Sequence, residues 1–131
     1  MSEVYPQAST DEYGKHVTVV ADVPTVALTP EITTRLVPGK NMTLSFSEVP
    51  PGAAGAIHSH PHEQMIVVLS GKVDIVIDGK AYRVGVGDVV WIPGDLPHGG
   101  MGLDEPCRMV EIFAPARKDF EEKLQQARSA S

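Results

Sequence analysis

Three histidines fall at alternate positions in one short run, His58-Ser-His60-Pro-His62, and Glu63 and Gln64 follow directly. On an extended chain residues two apart leave the same face, so His58 and His60 can converge on one point while Ser59 faces away. Neutral imidazole is a ligand for Zn, Cu, Fe and Ni, and two imidazoles from one strand can fill adjacent corners of such a site. A bare His-x-His is as well explained by a polar edge strand; the feature that tips the balance is His98. It closes the run Trp91-Ile-Pro-Gly-Asp-Leu-Pro-His98, directly after a second apolar strand. Pro61 interrupts the first run, so the same-face argument stops short of His62, which is read either as a neighbour of the ligands or as solvated. Glu63, in the same turn, is read as solvent-facing or bonded to backbone. His16 stands alone and is read as a surface or strand-edge residue.

The elements that must position these residues are short strands. Val17–Val20, Thr25–Leu28, Ile32–Val37 and Met42–Val49 are β-branched or alternating runs separated by Pro24, Pro30 and Pro38-Gly39. Within the last of them Met42, Leu44 and Phe46 alternate with Thr43, Ser45 and Ser47, the period-two pattern of a strand with two unlike faces. Met65–Leu69, Lys72–Ile77, Ala81–Val84, Val89–Ile92 and Arg108–Phe113 continue the series. Asp78-Gly79 sits between two of these runs as a two-residue hairpin turn, whose central positions both want positive φ. Gly99 to Gly102 is read as a glycine-rich loop. Residues 116–127 have helical composition, with Phe120 and Leu124 four apart among charged residues. Many short strands with closely spaced turns predict an all-β protein, a sandwich or a closed barrel, and a double-sheet jelly roll satisfies the pattern. The division expected is an N-terminal arm over 1–16, a barrel over 17–115, and a short C-terminal helix and tail over 116–131. No internal repeat is visible.

The chain of 131 residues is the size of one domain. A net charge of −6 gives no electrostatic footprint for nucleic acid, and no Lys/Arg cluster suggests an anionic membrane. No apolar run is long enough to span a bilayer, and the first residues lack the pattern of a signal peptide. Cys107 is the only cysteine, which excludes an internal disulfide; it is read as a small core residue, and a reducing cytoplasm is the expected location.

Taken together, the two histidine segments resemble the paired motifs of the cupin superfamily. Gly52, His58, His60, Gln64 and Gly71 fall on the spacing of the first motif, with Gln64 in place of its usual Glu. Gly87, Pro93 and His98 match the second, and Gly102 stands where that motif usually carries Asn. The resemblance covers residues 52 to 102. It implies a double-stranded β-helix, the jelly-roll barrel, holding one divalent transition metal (Zn, Ni, Mn or Fe) on His58, His60, Gln64 and His98. Gln64 contributes a carbonyl dipole where Glu would contribute a charge, which leaves the ion a stronger Lewis acid and favours proton transfer over redox chemistry. The alternative for Gln64 is a hydrogen bond to a neighbouring ligand.

A narrower resemblance lies in His58 to Gln64, Ile77-Asp-Gly79, Pro97-His-Gly99 and Phe113-Ala-Pro-Ala-Arg117. These look like the small cupins of pectin and alginate breakdown that convert an unsaturated uronate to its linear ketone form. In that group an Asp, a Phe and an Arg line the pocket; Phe113 and Arg117 match, and Glu111 holds the Asp position, one methylene longer. The resemblance implies catalytic roles for Glu111, which would move a proton, for Arg117, which would orient a substrate carboxylate, and for Phe113. The expectation is a cytoplasmic, homodimeric lyase or isomerase acting on a small oxygenated substrate. A quercetinase-like dioxygenase and a non-enzymatic ligand-binding cupin are the alternatives.

Overall fold

The computed structural model describes residues 4–130. Among the described residues nine strands form two sheets: β1 (Val26–Ala27), β2 (Thr33–Pro38), β3 (Thr43–Val49), β4 (Glu63–Ser70), β5 (Lys72–Ile77), β6 (Lys80–Gly85), β7 (Val89–Ile92), β8 (His98–Gly102) and β9 (Cys107–Ala114). Six of them are ordered β1-β2-β3-β9-β4-β7 and three are ordered β6-β5-β8, and every pairing is antiparallel. This is the all-β double-sheet architecture expected, with a C-terminal helix α2 at Lys118–Ala130.

Strand periodicity decides what enters the interior. Gln64, Ile66 and Val68 of β4, Val90 and Ile92 of β7, and Val73 and Ile75 of β5 are buried on one side of their strands. Between the two sheets the apolar ones among them form one cluster with Cys107 and Met109 of β9, and Cys107 is indeed a core residue. A second cluster joins Val23, Leu36 and Phe113 to Phe120 and Leu124, so the apolar ridge of α2 packs against side chains of β2 and β9. The β5–β6 hairpin turns on Asp78 and Gly79 with φ of 48° and 82°, as the dipeptide predicts.

Two local readings need correction, and the arm gains an element. Residues 10–16 of the arm form helix α1 (Thr10–His16), because Ser9 and Glu12 make a reciprocal capping box. Val17–Val20 is not a strand; the chain runs into a 3-10 turn at Val20–Asp22, where the Arg35 guanidinium takes up backbone carbonyls of Val20 and Val23. The glycines after His98 are a strand. Glycine there permits close approach: a Cβ on Gly102 would run into the Pro50 carbonyl oxygen, and one on Gly99 would lie 3.0 Å from the Ile57 side chain. Among the described residues no helix is long and apolar enough to cross a membrane.

Leu124 is 2% exposed and anchors α2 on Leu36 and Phe113. Leu124→Ala should lower unfolding free energy by about 2–5 kcal/mol. Urea denaturation checks this, and an unchanged midpoint would show that α2 does not contribute to the cooperative unit.

Candidate metal centre

The histidines are brought together by one cross-chain pair. His58 and His98 exchange both backbone hydrogen bonds, each 2.9 Å, as an isolated bridge between the segment before β4 and the start of β8. Their rings lie 4.5 Å apart, and the His60 ring is 4.8 Å from His98 and 5.8 Å from His58. His58, His60 and His98 offer ligand nitrogens that all lie within 4.8 Å of one another, a cluster that can hold a metal ion. His58 and His60 do converge as expected, although the regular strand β4 begins only at Glu63.

The tautomers follow from the partners. Nδ1 of His58 lies 2.8 Å from the Ala56 carbonyl oxygen, Nδ1 of His60 3.0 Å from that of His62, and Nδ1 of His98 2.8 Å from that of Leu96. A carbonyl can only accept, so each Nδ1 carries the proton and each neutral ring turns the lone pair of Nε2 inward. Nε2 of His98 is buried and has no hydrogen-bond partner. Nε2 of His60 lies 3.0 Å from Oε1 of Gln64, while Nε2 of Gln64 donates to Oε2 of Glu111 at 2.7 Å.

That last pair is the informative one. The Gln64 amide gives Glu111 its NH₂ end and so turns its oxygen toward His60. Two acceptors then face each other. A second proton on His60 would relieve the opposition, but burial, aided by the charges of Arg117, His98 and His58, holds its pKa below the usual histidine value, against the pull of the Gln64 oxygen. His98 is held low in the same way, burial first, with the Leu96 carbonyl opposing. A cation between the donors resolves the conflict, and three imidazoles with an amide oxygen are a donor set that first-row divalent ions accept.

Behind Gln64 lies a polar network that the sequence alone did not reveal. Ser47 Oγ donates to Oε1 of Glu111 at 2.7 Å, Ser45 and Ser47 hydroxyls are 3.1 Å apart, and Thr34 and Ser45 hydroxyls 2.6 Å apart. Since Ser47 spends its only proton on Glu111, Ser45 must donate to Ser47 and Thr34 to Ser45. The chain of hydroxyls therefore points one way, at the carboxylate. Thr34, Ser45 and Ser47 are each no more than 1% exposed. Thr43, Ser45 and Ser47 thus form the inward face of β3, and the alternation noted in the sequence was the available signal. Burial pushes the Glu111 carboxyl above the ordinary carboxylate range, while Ser47, Arg117, His58 and Gln64 pull it back.

Phe113 packs edge-on against His60 at 5.6 Å. The Arg117 guanidinium lies over Phe120 at 3.8 Å and near Phe113 at 4.9 Å. Its Nε and Nη2 donate to both carboxylate oxygens of Asp119, at 3.0 and 2.7 Å, although its charge still reaches His60, His98 and Glu111. His62 packs beside His60, ring to ring at 5.4 Å, with a buried and unpartnered Nδ1. It is half-buried beside the cluster and not among its members. Glu63 is exposed, as the solvent-facing reading expects, and also accepts from Trp91 Nε1 at 2.7 Å.

The family model described as a cupin domain matches residues 45–113. The pectin degradation protein KdgF of Dickeya dadantii is 33% identical over 70 residues, 53% of this chain and 64% of that protein. The dimethylsulfoniopropionate lyase DddW of Ruegeria pomeroyi is 31% identical over 77 residues, 59% of this chain and 51% of that protein. The matches thus span between half and two thirds of the length of these relatives. Among solved structures, an RmlC-like cupin from Shewanella frigidimarina superposes with a TM-score of 0.74 at 22% identity, covering 80% of this chain and 95% of the other. KdgF from Halomonas sp. superposes with a TM-score of 0.69 at 23% identity, covering 73% and 89%. These last two likenesses speak to the fold.

Because His60 and His98 titrate lower in the folded protein than unfolded, the unfolded chain binds more protons between the two values, and stability rises with pH there. Metal-free protein should lose stability as pH falls through about 6.5, the unfolded value, levelling off below the folded ones. His98→Asn should flatten that part of the profile. Urea midpoints across the range test this; identical profiles for the two proteins would contradict it.

Proposed function

This chain belongs to the cupin family, and from that premise we propose that it is a metal-dependent lyase or isomerase acting on a small oxygenated, uronate-like molecule. The ligands in this reading are His58, His60, Gln64 and His98. The observation that carries it is the opposition of His60 Nε2 and Gln64 Oε1, two buried acceptors that a divalent ion reconciles. The similarity to a pectin degradation protein and to a lyase supports the reaction class and the substrate type.

When bound, the ion supplies Lewis acidity toward a substrate hydroxyl or carbonyl oxygen. The chain's own residues do the rest. Glu111 is a half-buried carboxyl whose pKa is raised by desolvation, which brings it closer to the range where a group both accepts and returns a proton. Ser47 and the hydroxyls behind it keep that carboxylate aimed at the site. Phe113 forms an apolar wall against His60. Arg117, with Asp119 on two of its nitrogens, holds positive charge at the pocket and attracts an anionic substrate group. A homodimer in the cytoplasm completes the reading. Met65, Val89 and Trp91, exposed on the outer face of β4 and β7, support the pairing.

Protein purified without a metal-affinity tag should contain near-stoichiometric divalent metal by mass spectrometry and should turn over unsaturated uronates. Failure to carry metal, or to take up added Zn, Ni, Mn or Fe, would remove the reading. With an active substrate in hand, Glu111→Ala should lower kcat by about 10²–10⁴-fold. A kcat left unchanged would remove Glu111 from the chemistry.

A further inference from the structure

Gln64 stands where a carboxylate ligand would carry charge, and an amide is ambiguous in a way a carboxylate is not. Turned by half a rotation about its last bond, it presents an NH₂ group to the site and repels a cation. Something must choose the orientation. We propose that Gln64 and Glu111 act together as a divided carboxylate ligand. Gln64 presents the oxygen, and Glu111, one hydrogen bond behind, fixes which end of the amide faces the ion and supplies the negative charge that the amide lacks.

The geometry carries both halves of this assignment. Gln64 pairs with Phe113 and Ile66 with Glu111 in the β4–β9 register, so Gln64 and Glu111 are diagonal neighbours on the inner face of adjacent strands. Their contact, Nε2 to Oε2 at 2.7 Å, leaves Oε1 of Gln64 only the direction of His60. Glu111 cannot swing away to release the amide, because Ser47 holds its other oxygen at 2.7 Å and the one-way hydroxyl chain from Thr34 and Ser45 strengthens that bond. An N–H donated to a carboxylate also polarises the amide, placing more electron density on the carbonyl oxygen. The site is thus built for one negative charge shared across two positions. A second carboxylate at position 64 would face Glu111 across the same short contact, where like charges repel.

This inference rests on the four-residue ligand reading, and it predicts a pattern that simple structural support would not produce. The probes are Zn²⁺ and Mn²⁺ alone, titrated calorimetrically into metal-free protein without substrate, with circular dichroism confirming the fold of each variant. Glu111→Gln removes the charge and should weaken binding about 10–100-fold. Gln64→Glu, although it adds a charge to the ligand itself, should bind no more tightly than the unaltered protein. The double variant exchanges the two side chains and keeps both the hydrogen bond and the single charge. It should bind more tightly than either single variant and approach the unaltered protein. Should Glu111→Gln fail to fold, Ser47→Ala keeps the charge but frees Oε1 of Glu111, and it should weaken binding measurably.

Equal affinity in Glu111→Gln and the unaltered protein, tighter binding by Gln64→Glu, or a double variant no better than Glu111→Gln would each overturn the divided ligand. Unaltered affinity in Ser47→Ala would do the same. Absence of binding by the unaltered protein would overturn the ligand reading itself, a separate result.

Discussion

Two acceptor atoms, Nε2 of His60 and Oε1 of Gln64, are held 3.0 Å apart in a buried setting with no proton assigned to the space between them. Everything else about the site can be read as the means of holding them there. The His62 carbonyl commits the His60 proton to the far side of its ring, and Glu111 commits the amide of Gln64. Burial opposes the imidazolium that would otherwise relieve the contact. An arrangement of this kind is costly for the bare protein and would become favourable with a cation present, as the proposed metal site requires.

The barrel makes the arrangement rigid. His58 and His98 are fixed to each other through the backbone, so their side chains inherit the precision of a cross-strand pair. The glycines of β8 let the preceding segment pack close enough for that pair to form. On the opposite wall β3 turns three hydroxyl side chains inward where an ordinary core would take aliphatic ones. Burying them unpaired would cost a few kcal/mol each on the scale of mutational data. Their mutual hydrogen bonds, ending at Glu111, and the bond from the Arg117 amide to Thr43 remove most of that penalty. Apolar layers flank the polar band: Ile66, Val68, Val73 and Ile75 on one side, Phe113, Phe120 and Leu124 on the other.

The strands were legible because alternation and turn residues are local properties, and the Asp78-Gly79 hairpin is the clearest case. His58, His60 and His98 were legible for a similar reason, since the spacing that makes a metal cluster is itself local on each side. What could not be read was any relation across strands. The sequence displays Thr43, Ser45 and Ser47 on one face of β3, but only the β3–β9 pairing puts Glu111 within reach of Ser47. Arg117 meets Asp119, two residues on, because the first turn of α2 folds the carboxylate back onto it; a composition-based helix does not specify that contact. The N-terminal helix α1 was missed although its signal, Ser9 followed by Glu12, is local; seven residues without a buried position gave no periodicity to notice.

The most direct test of the central claim is anomalous diffraction at the metal absorption edge from crystals of the Zn- or Mn-loaded protein. The account predicts a single strong peak within bonding distance of Nε2 of His58, His60 and His98 and of the Gln64 side-chain oxygen, with Glu111 still hydrogen-bonded to the Gln64 amide nitrogen. A peak elsewhere, or one bound by the histidines while Gln64 turns away from it, would contradict the account.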